Sequence, residues 1–234
     1  MLTDRLAALA WPDIEAQLLD RGFALLKGVL SPDACRDLAA RYDEDALYRS
    51  RVVMARHSFG SGEYRYFADP LPEPVATLRR ELYAGLAPIA NRFNALTGAP
   101  RRYPAEHEAF RAECRAGGQT RPTPLLLRYR AGDYNRLHQD LYGALVFPLQ
   151  AVVLLSEPGR DFTGGALVLT EQRARMQSRA EVLAMGQGDM AIFAVRERPA
   201  TGPRGVSRAV LRHGVSTVTE GERHALGVIF HDAA

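Results

Sequence analysis

Lysine is almost missing from this chain: Lys27 is the one lysine among 30 basic residues, and the rest are arginine. Cysteine is nearly as scarce. Cys35 and Cys114 are too few for a disulfide framework or a cysteine-built zinc cage. Long apolar runs are absent too. Runs such as AVVLL at 151–155 and MAIFAV at 190–195 fall far short of the roughly 20 residues that span a bilayer. No basic segment followed by an apolar one opens the chain, so the expectation is no secretory signal, no membrane partner and a reducing cytoplasm. There are no internal repeats, low-complexity tracts or Gly-rich phosphate loops opening a helix. HExxH is missing, which disfavours zinc hydrolysis, and so is the His-x-His of a cupin.

What is present fits an ordinary folded domain. The chain has 234 residues, 47% of them hydrophobic and 24% charged, enough to bury a substantial core in one domain. The net charge is only +3. Arginine binds phosphate better than lysine does, but an arginine excess equally fits a compositional habit of the source.

The first part, 1–120, reads as mainly helical. A helix over 1–20 is interrupted at Trp11-Pro12 and ends before Gly22. FALLKGVL (23–30) reads as a buried strand, and Ser31-Pro32 opens a helix as cap and first-turn proline. Residues 49–72 are irregular and rich in Arg, Tyr and Gly. A loop that long inside a domain is usually functional, so it is read as a flap over a site. Apolar residues from Val75 to Leu96 recur at helical spacing, with a break expected near Gly85 and Pro88. Another helix is expected over 105–115.

From Pro124 the period becomes two. Strands are expected near 125–130, 138–141, 146–155, 164–169, 181–184, 189–195, 207–217 and 223–231, separated by Gly, Pro and polar turns. Short strands so punctuated predict a jelly roll over 121–234, behind supporting N-terminal helices, in an α+β chain.

The candidate site lies in LLLRYRAGDYNRLHQD, residues 125–140. His138 and Asp140 stand two apart, and on an extended segment they project to the same side. His-x-Asp alone is a weak signal. With His213, in AVLRHGVSTV, it makes two histidines and one carboxylate, a set that leaves positions open on Fe(II). Arg223 follows ten residues later. A turn at 219–221 centred on Glu220 would set His213 opposite Gly227, with Arg223 about 14 Å along the strand on the same face. Its planar fork then suits the far carboxylate of a short dicarboxylate.

These residues resemble the 2-oxoglutarate/Fe(II)-dependent dioxygenase superfamily, through HxD, a distal His and an Arg about ten positions on. Gly164-Gly165 opening ALVL and GDMAIF at 188–193 fit as well. HQDLYG, LLSEPGRDFTGG, TEQRARMQSRAE and LRHGVS resemble a bacterial subfamily described as oxygenases acting on damaged nucleic acid. The resemblance implies Fe(II) on His138, Asp140 and His213, with 2-oxoglutarate and O2 as co-substrates. It also implies Arg223 as the anchor of 2-oxoglutarate and Tyr129 as a second contact. Where some relatives carry Arg-x-Ser, position 225 is Ala225, so part of that contact set comes from elsewhere.

The implied reaction is hydroxylation, with demethylation following where a methyl group is attacked. The prime substrate is not identified by the sequence. An anionic one is suggested by Arg136 just before the metal strand, by Arg173, Arg175 and Arg179 in one connecting stretch, and by Arg196, Arg198, Arg204 and Arg208 flanking another, charges expected to converge at the rim. Aromatics at 59–67, Tyr134 and Tyr142 suit a flipped base. A small metabolite, a protein side chain, or a jelly roll that binds without catalysis are the alternatives. No recognisable nucleic-acid-binding motif is present.

Overall fold

Pro12 near the start of a helix and Gly22 just past its end bracket the first full element. The computed structural model describes residues 2–202 and 205–234, so Arg204 lies outside the described residues. Helix α1 spans Leu2–Ala7 and α2 Trp11–Arg21. Gly22 ends α2 in left-handed backbone at φ 83°, its N–H donating to Leu18 O. The chain then enters β1, Phe23–Leu26, shorter than the strand expected over 23–30. Ser31 Oγ accepts from Ala34 N at 3.3 Å and so caps α3, Pro32–Ala40.

The segment read as an irregular flap is instead largely strand. It folds into β2 (Tyr48–Val53), β3 (Gly60–Ser61) and β4 (Glu63–Phe67). The alternation Glu63-Tyr64-Arg65-Tyr66 is the reason. Tyr64 and Tyr66 turn to an apolar cluster with Leu125 and Ile229, while Arg65 pairs with Asp43 and Asp45 on the opposite face. The long helix α4, Val75–Thr97, runs unbroken through Gly85 and Pro88, against expectation. Its buried stripe from Val75 to Phe93 outweighs the roughly 3 kcal/mol that an interior proline costs. Gly85 serves packing, since a Cβ there would sit 2.1 Å from the Trp11 ring. Helix α5 spans His107–Ala116.

The strands that follow are β5 (Leu125–Arg130), β6 (Tyr134–His138), β7 (Leu149–Leu154), β8 (Phe162–Gly164) and β9 (Leu167–Gln172). After them come β10 (Arg179–Leu183), β11 (Met190–Ala194), β12 (Glu197–Gly202), β13 (Gly205–Val215) and β14 (Val218–Val228). The larger sheet has the order β1-β11-β7-β14-β5-β4-β2, with β8 also on β14. The smaller has β10-β9-β13-β6-β3, with β12 on β13. The named ladders are antiparallel, and the two sheets form the expected jelly-roll core in an α+β chain. Helix α4 packs into one hydrophobic cluster with Leu126, Ala151, Ile192 and Leu226 of the larger sheet.

The hairpin expected around Glu220 does not form. β13 ends at Val215 and β14 begins at Val218, so the chain changes sheets at 216–217. His213 pairs with His138 and Leu169, and Arg223 with Tyr129. Gly227 lies across from Leu125 and Val152, not from His213. TEG at 219–221 is strand, where Glu220 pairs with Thr163. The physical reason is burial: β14 is buried on both faces from Arg223 onward and apolar from Ala225, which suits a central strand flanked by β5 and β7.

Beyond β14 the tail folds back under the helices. Asp232 is fully buried against Arg79 Nη2 at 2.6 Å and Arg111 Nε at 3.2 Å. His107 Nε2 donates to Phe230 O at 2.9 Å, and His231 Nδ1 accepts from Phe147 N at 3.3 Å. Burial and then the Arg79 charge push His107 down to about 3 and His231 down to about 4. Unfolded, both titrate near 6.5. Between these values the unfolded chain holds more protons, so stability is full above about pH 6.5 and falls as pH drops. The loss is about 1.4 kcal/mol per pH unit for each histidine. Urea midpoints should therefore decline from pH 7 to pH 5. A flat profile there would show these rings charged in the folded protein. Among the described residues no helix is long and apolar enough to cross a membrane.

Candidate metal centre

Two adjacent strands of the smaller sheet and one turn bring the predicted ligands together. His138 is the last residue of β6, and His213 lies directly across from it on β13. The ring centroids are 4.1 Å apart. Gly214 makes this close approach feasible, because a Cβ there would meet Asn135 O at 2.7 Å. The expected strand 138–141 is not formed; Asp140 sits past the end of β6. The two are therefore not paired within one strand, since 139–140 lie outside regular structure, and both side chains still face one cavity.

Asp140 Oδ2 is 3.2 Å from His213 Nε2, and Oδ1 is 3.6 Å from His138 Nε2. One ligand atom from each residue lies within 4.8 Å of the others, so the three can hold a metal ion together. His138 Nδ1 donates to Arg136 O at 2.7 Å, which leaves the Nε2 lone pair on the side of Asp140. Burial, then the neighbouring His213, pulls the His138 pKa down and favours the neutral ring. Burial alone would raise the Asp140 carboxyl, but its interactions with His213, with His138 and with the Tyr142 hydroxyl hold it well below the usual carboxylate range. Two further donors serve Asp140: Tyr142 OH on Oδ1 at 2.6 Å and Gln150 Nε2 on Oδ2 at 2.9 Å.

Arg223 enters the same cavity from β14, on the opposing sheet. It is 2% exposed, and its Nε has no partner. No carboxylate is paired with it among the described residues. It lies 5.5 Å from the Tyr129 ring centroid and 5.9 Å from that of Phe162. Burial lowers its pKa, and only Tyr129 opposes that. Gly165 clears its path, since a Cβ there would be 3.0 Å from Arg223 Cδ. Tyr129 is fully buried beside it, with its phenol pushed up to about 12 by burial, and accepts from Asn135 Nδ2 at 3.3 Å. A buried guanidinium without an anion and a His-Asp-His set in one cavity fit a metal plus a small dicarboxylate. The space around the triad and Arg223, its open mouth included, comes to about 910 Å³.

Of the predicted flap, Phe59 and Tyr64 do line this cavity. His57 stacks on Phe59 at 5.3 Å. His224 points away, toward Tyr42 at 5.7 Å, and has a structural place, as its parity suggested. The arginines do not converge on the mouth as expected. Arg173 pairs with Glu171, Arg179 with Glu181, and Arg196 and Arg208 share Glu197. Arg198 is buried, holding Glu171 and Leu19 O, and so ties β12 to α2. Arg223 is the arginine that lines the cavity. Sequence reasoning missed Gln150 and Asn135. A lone amide inside the apolar run LQAVVL was the available signal for Gln150.

Solved structures share this architecture. A prolyl hydroxylase from Trichoplax adhaerens, in complex with a hypoxia inducible factor peptide fragment, superposes with TM-score 0.58 at 14% identity, covering 99% of this chain and 92% of that one. An oxidoreductase of the 2OG-Fe(II) oxygenase family from Burkholderia pseudomallei gives 0.54 at 16% identity, covering 97% and 94%. A Pseudomonas putida prolyl-4-hydroxylase gives 0.53 at 16% identity, covering 96% and 100%. At such identities the likeness is one of fold, and the fold is that of the 2OG-Fe(II) oxygenases.

Residues 62–233 match the model of the family described as "Oxygenase, catalysing oxidative methylation of damaged DNA". The chain belongs to that family and is an oxygenase. Uncharacterized proteins from two Mycobacterium tuberculosis strains, CDC 1551 / Oshkosh and ATCC 25618 / H37Rv, are each 48% identical over 194 residues, covering 81% of this chain and 83% of theirs.

Proposed function

We propose that the protein is a 2-oxoglutarate-dependent oxygenase with Fe(II) held by His138, Asp140 and His213. Arg223 anchors the far carboxylate of 2-oxoglutarate, and Tyr129 supports it. The observation that carries this reading is the buried, unpartnered Arg223 in the cavity of the triad. When bound, the iron supplies open positions at which O2 and 2-oxoglutarate are consumed and a substrate C–H bond is hydroxylated. The chain's own part is to orient the ligands, hold the co-substrate and keep the apolar walls around it, among them Leu125, Leu127 and Val215.

Removing Arg223 leaves that carboxylate without its fork, at a cost of roughly 2–5 kcal/mol. Arg223→Ala is expected to raise the apparent 2-oxoglutarate constant tenfold or more, with metal affinity kept. A change confined to metal binding would assign Arg223 another task.

The substrate reading we favour is a damaged base in nucleic acid. Its support is the family description, with Phe59 half-exposed at the cavity and Arg136 solvent-exposed beside it, its backbone N–H donating to Phe59 O at 2.8 Å. A stacking ring and a cation suit a base and its phosphate. Hydroxylation of an N-methyl group would lead to its loss as formaldehyde. Binding of single- and double-stranded DNA and RNA should fall steeply with salt, from counterion release. No binding at low salt, with no base-dependent succinate release, would leave a small metabolite or a protein side chain as the substrate.

A further inference from the structure

We infer that Gln150 is the positioning residue of this centre, the group that holds Asp140 in its ligating arrangement from across the cavity. The inference rests on the ligand assignment proposed above. Gln150 sits on β7 of the larger sheet, whereas His138, Asp140 and His213 lie on or just past strands of the smaller one. It is 2% exposed within an otherwise apolar strand. Burying an amide is unfavourable unless its polar atoms are satisfied.

Its Nε2 is 2.9 Å from Asp140 Oδ2 and 3.2 Å from His213 Nε2. One amide hydrogen goes to the carboxylate; His213 Nε2 has a single in-plane lone pair, which a bound metal takes, so Asp140 is the partner that Gln150 keeps on ligation. The carboxylate fixes which way the amide faces. Turned over, Oε1 would meet the Asp140 carboxylate oxygen with no hydrogen between them. Oε1 is instead buried without a partner, an unfavourable state for a buried acceptor. Packing alone would not select it, since leucine or methionine fills the volume without that cost.

Tyr142 OH holds the other carboxylate oxygen, Oδ1. With a donor on each oxygen the carboxylate cannot rotate freely. The two donors differ in what they fix. Tyr142 follows Asp140 by two residues and moves with it. Gln150 comes from the sheet that carries Arg223, so it sets Asp140 in register with the co-substrate's anchor. The N–H toward Asp140 is compatible with ligation, because a carboxylate oxygen has a second lone pair. Partners of this kind change metal affinity by tenfold to a hundredfold when removed.

Co(II) titration of the full chain tests this, read by equilibrium dialysis and by the visible ligand-field spectrum. Wild type is compared with Gln150→Leu, Gln150→Met, Asp140→Ala, and Val152→Ala as a cavity-lining control on the same strand. Both Gln150 variants should bind Co(II) about tenfold to a hundredfold more weakly, with an altered spectrum. Metal-free Tm should move little, because loss of the orphaned Oε1 offsets loss of a donor to Asp140. Val152→Ala should lower Tm and leave Co(II) affinity unchanged. Wild-type affinity and spectrum in the Gln150 variants would overturn the inference, and so would affinity losses that track Tm across all variants. Failure of wild type to bind Co(II), or undiminished binding by Asp140→Ala, would overturn the ligand assignment itself and this inference with it.

Discussion

Asp140→Ala is expected to abolish metal-dependent 2-oxoglutarate turnover while leaving the protein folded. Removing a partner of a metal ligand commonly costs tenfold to a hundredfold. Removing a ligand should exceed that, so the expected loss is more than about a hundredfold. The fold should survive because the site is a local convergence. Asp140 sits past the end of β6, outside the ladders, and its partners are His213, Tyr142 and Gln150. Taking out a buried carboxylate also frees the site from holding a charge in a place of low solvent access. Turnover is read as succinate release with added Fe(II), and folding by circular dichroism. Turnover within a few fold of wild type would refute the ligand assignment.

Arg79→Ala should be the most destabilising single change away from the site. The guanidinium is buried at the junction of α4 and the C-terminal tail. It donates to Asp232, to Ile229 O at 2.8 Å and to Phe230 O at 3.2 Å. Without it Asp232, itself fully buried, keeps only the longer Arg111 contact and loses its closest positive charge. Breaking one side of a buried pair costs about 3–5 kcal/mol. Arg79→Lys should recover little, since an ammonium cannot reach three acceptors spread in a plane. Ile229 lines the cavity, so loosening the tail should weaken co-substrate binding as well. Urea unfolding measures the first effect; a loss below about 1 kcal/mol would show that water replaces the guanidinium.

Much of this was legible in the residues. The period of two beyond Pro124 marked most of the strands, and the residue types at 138, 140 and 213 marked the two-histidine, one-carboxylate set that the structure brings together. Arg223 was placed correctly for a partly incorrect reason. A hairpin at Glu220 was the simplest way to bring it near His213, but the chain crosses between sheets at 216–217 and reaches the cavity from the other side. Residue spacing cannot distinguish the two, because a turn and a sheet change consume similar lengths. The hairpin over 48–67 hid behind glycines and arginines, though the alternation at 63–66 was there to read. The rim arginines failed for another reason. Charge counted along the chain says nothing of ion pairs, and Glu171 and Glu197 pair with four of the eight named arginines. Gln150 makes its contacts entirely across sheets, so no local pattern reports them.

The central claim is that one cavity holds a metal on His138, Asp140 and His213 and a dicarboxylate on Arg223. Anaerobic calorimetric titration of 2-oxoglutarate into the full chain, metal-free and loaded with Mn(II), tests both halves at once. One 2-oxoglutarate per chain is expected with Mn(II) present, and binding at least about tenfold weaker without it, because the keto-acid end then loses its metal. Equal binding in both states, or none in the loaded protein, would contradict it.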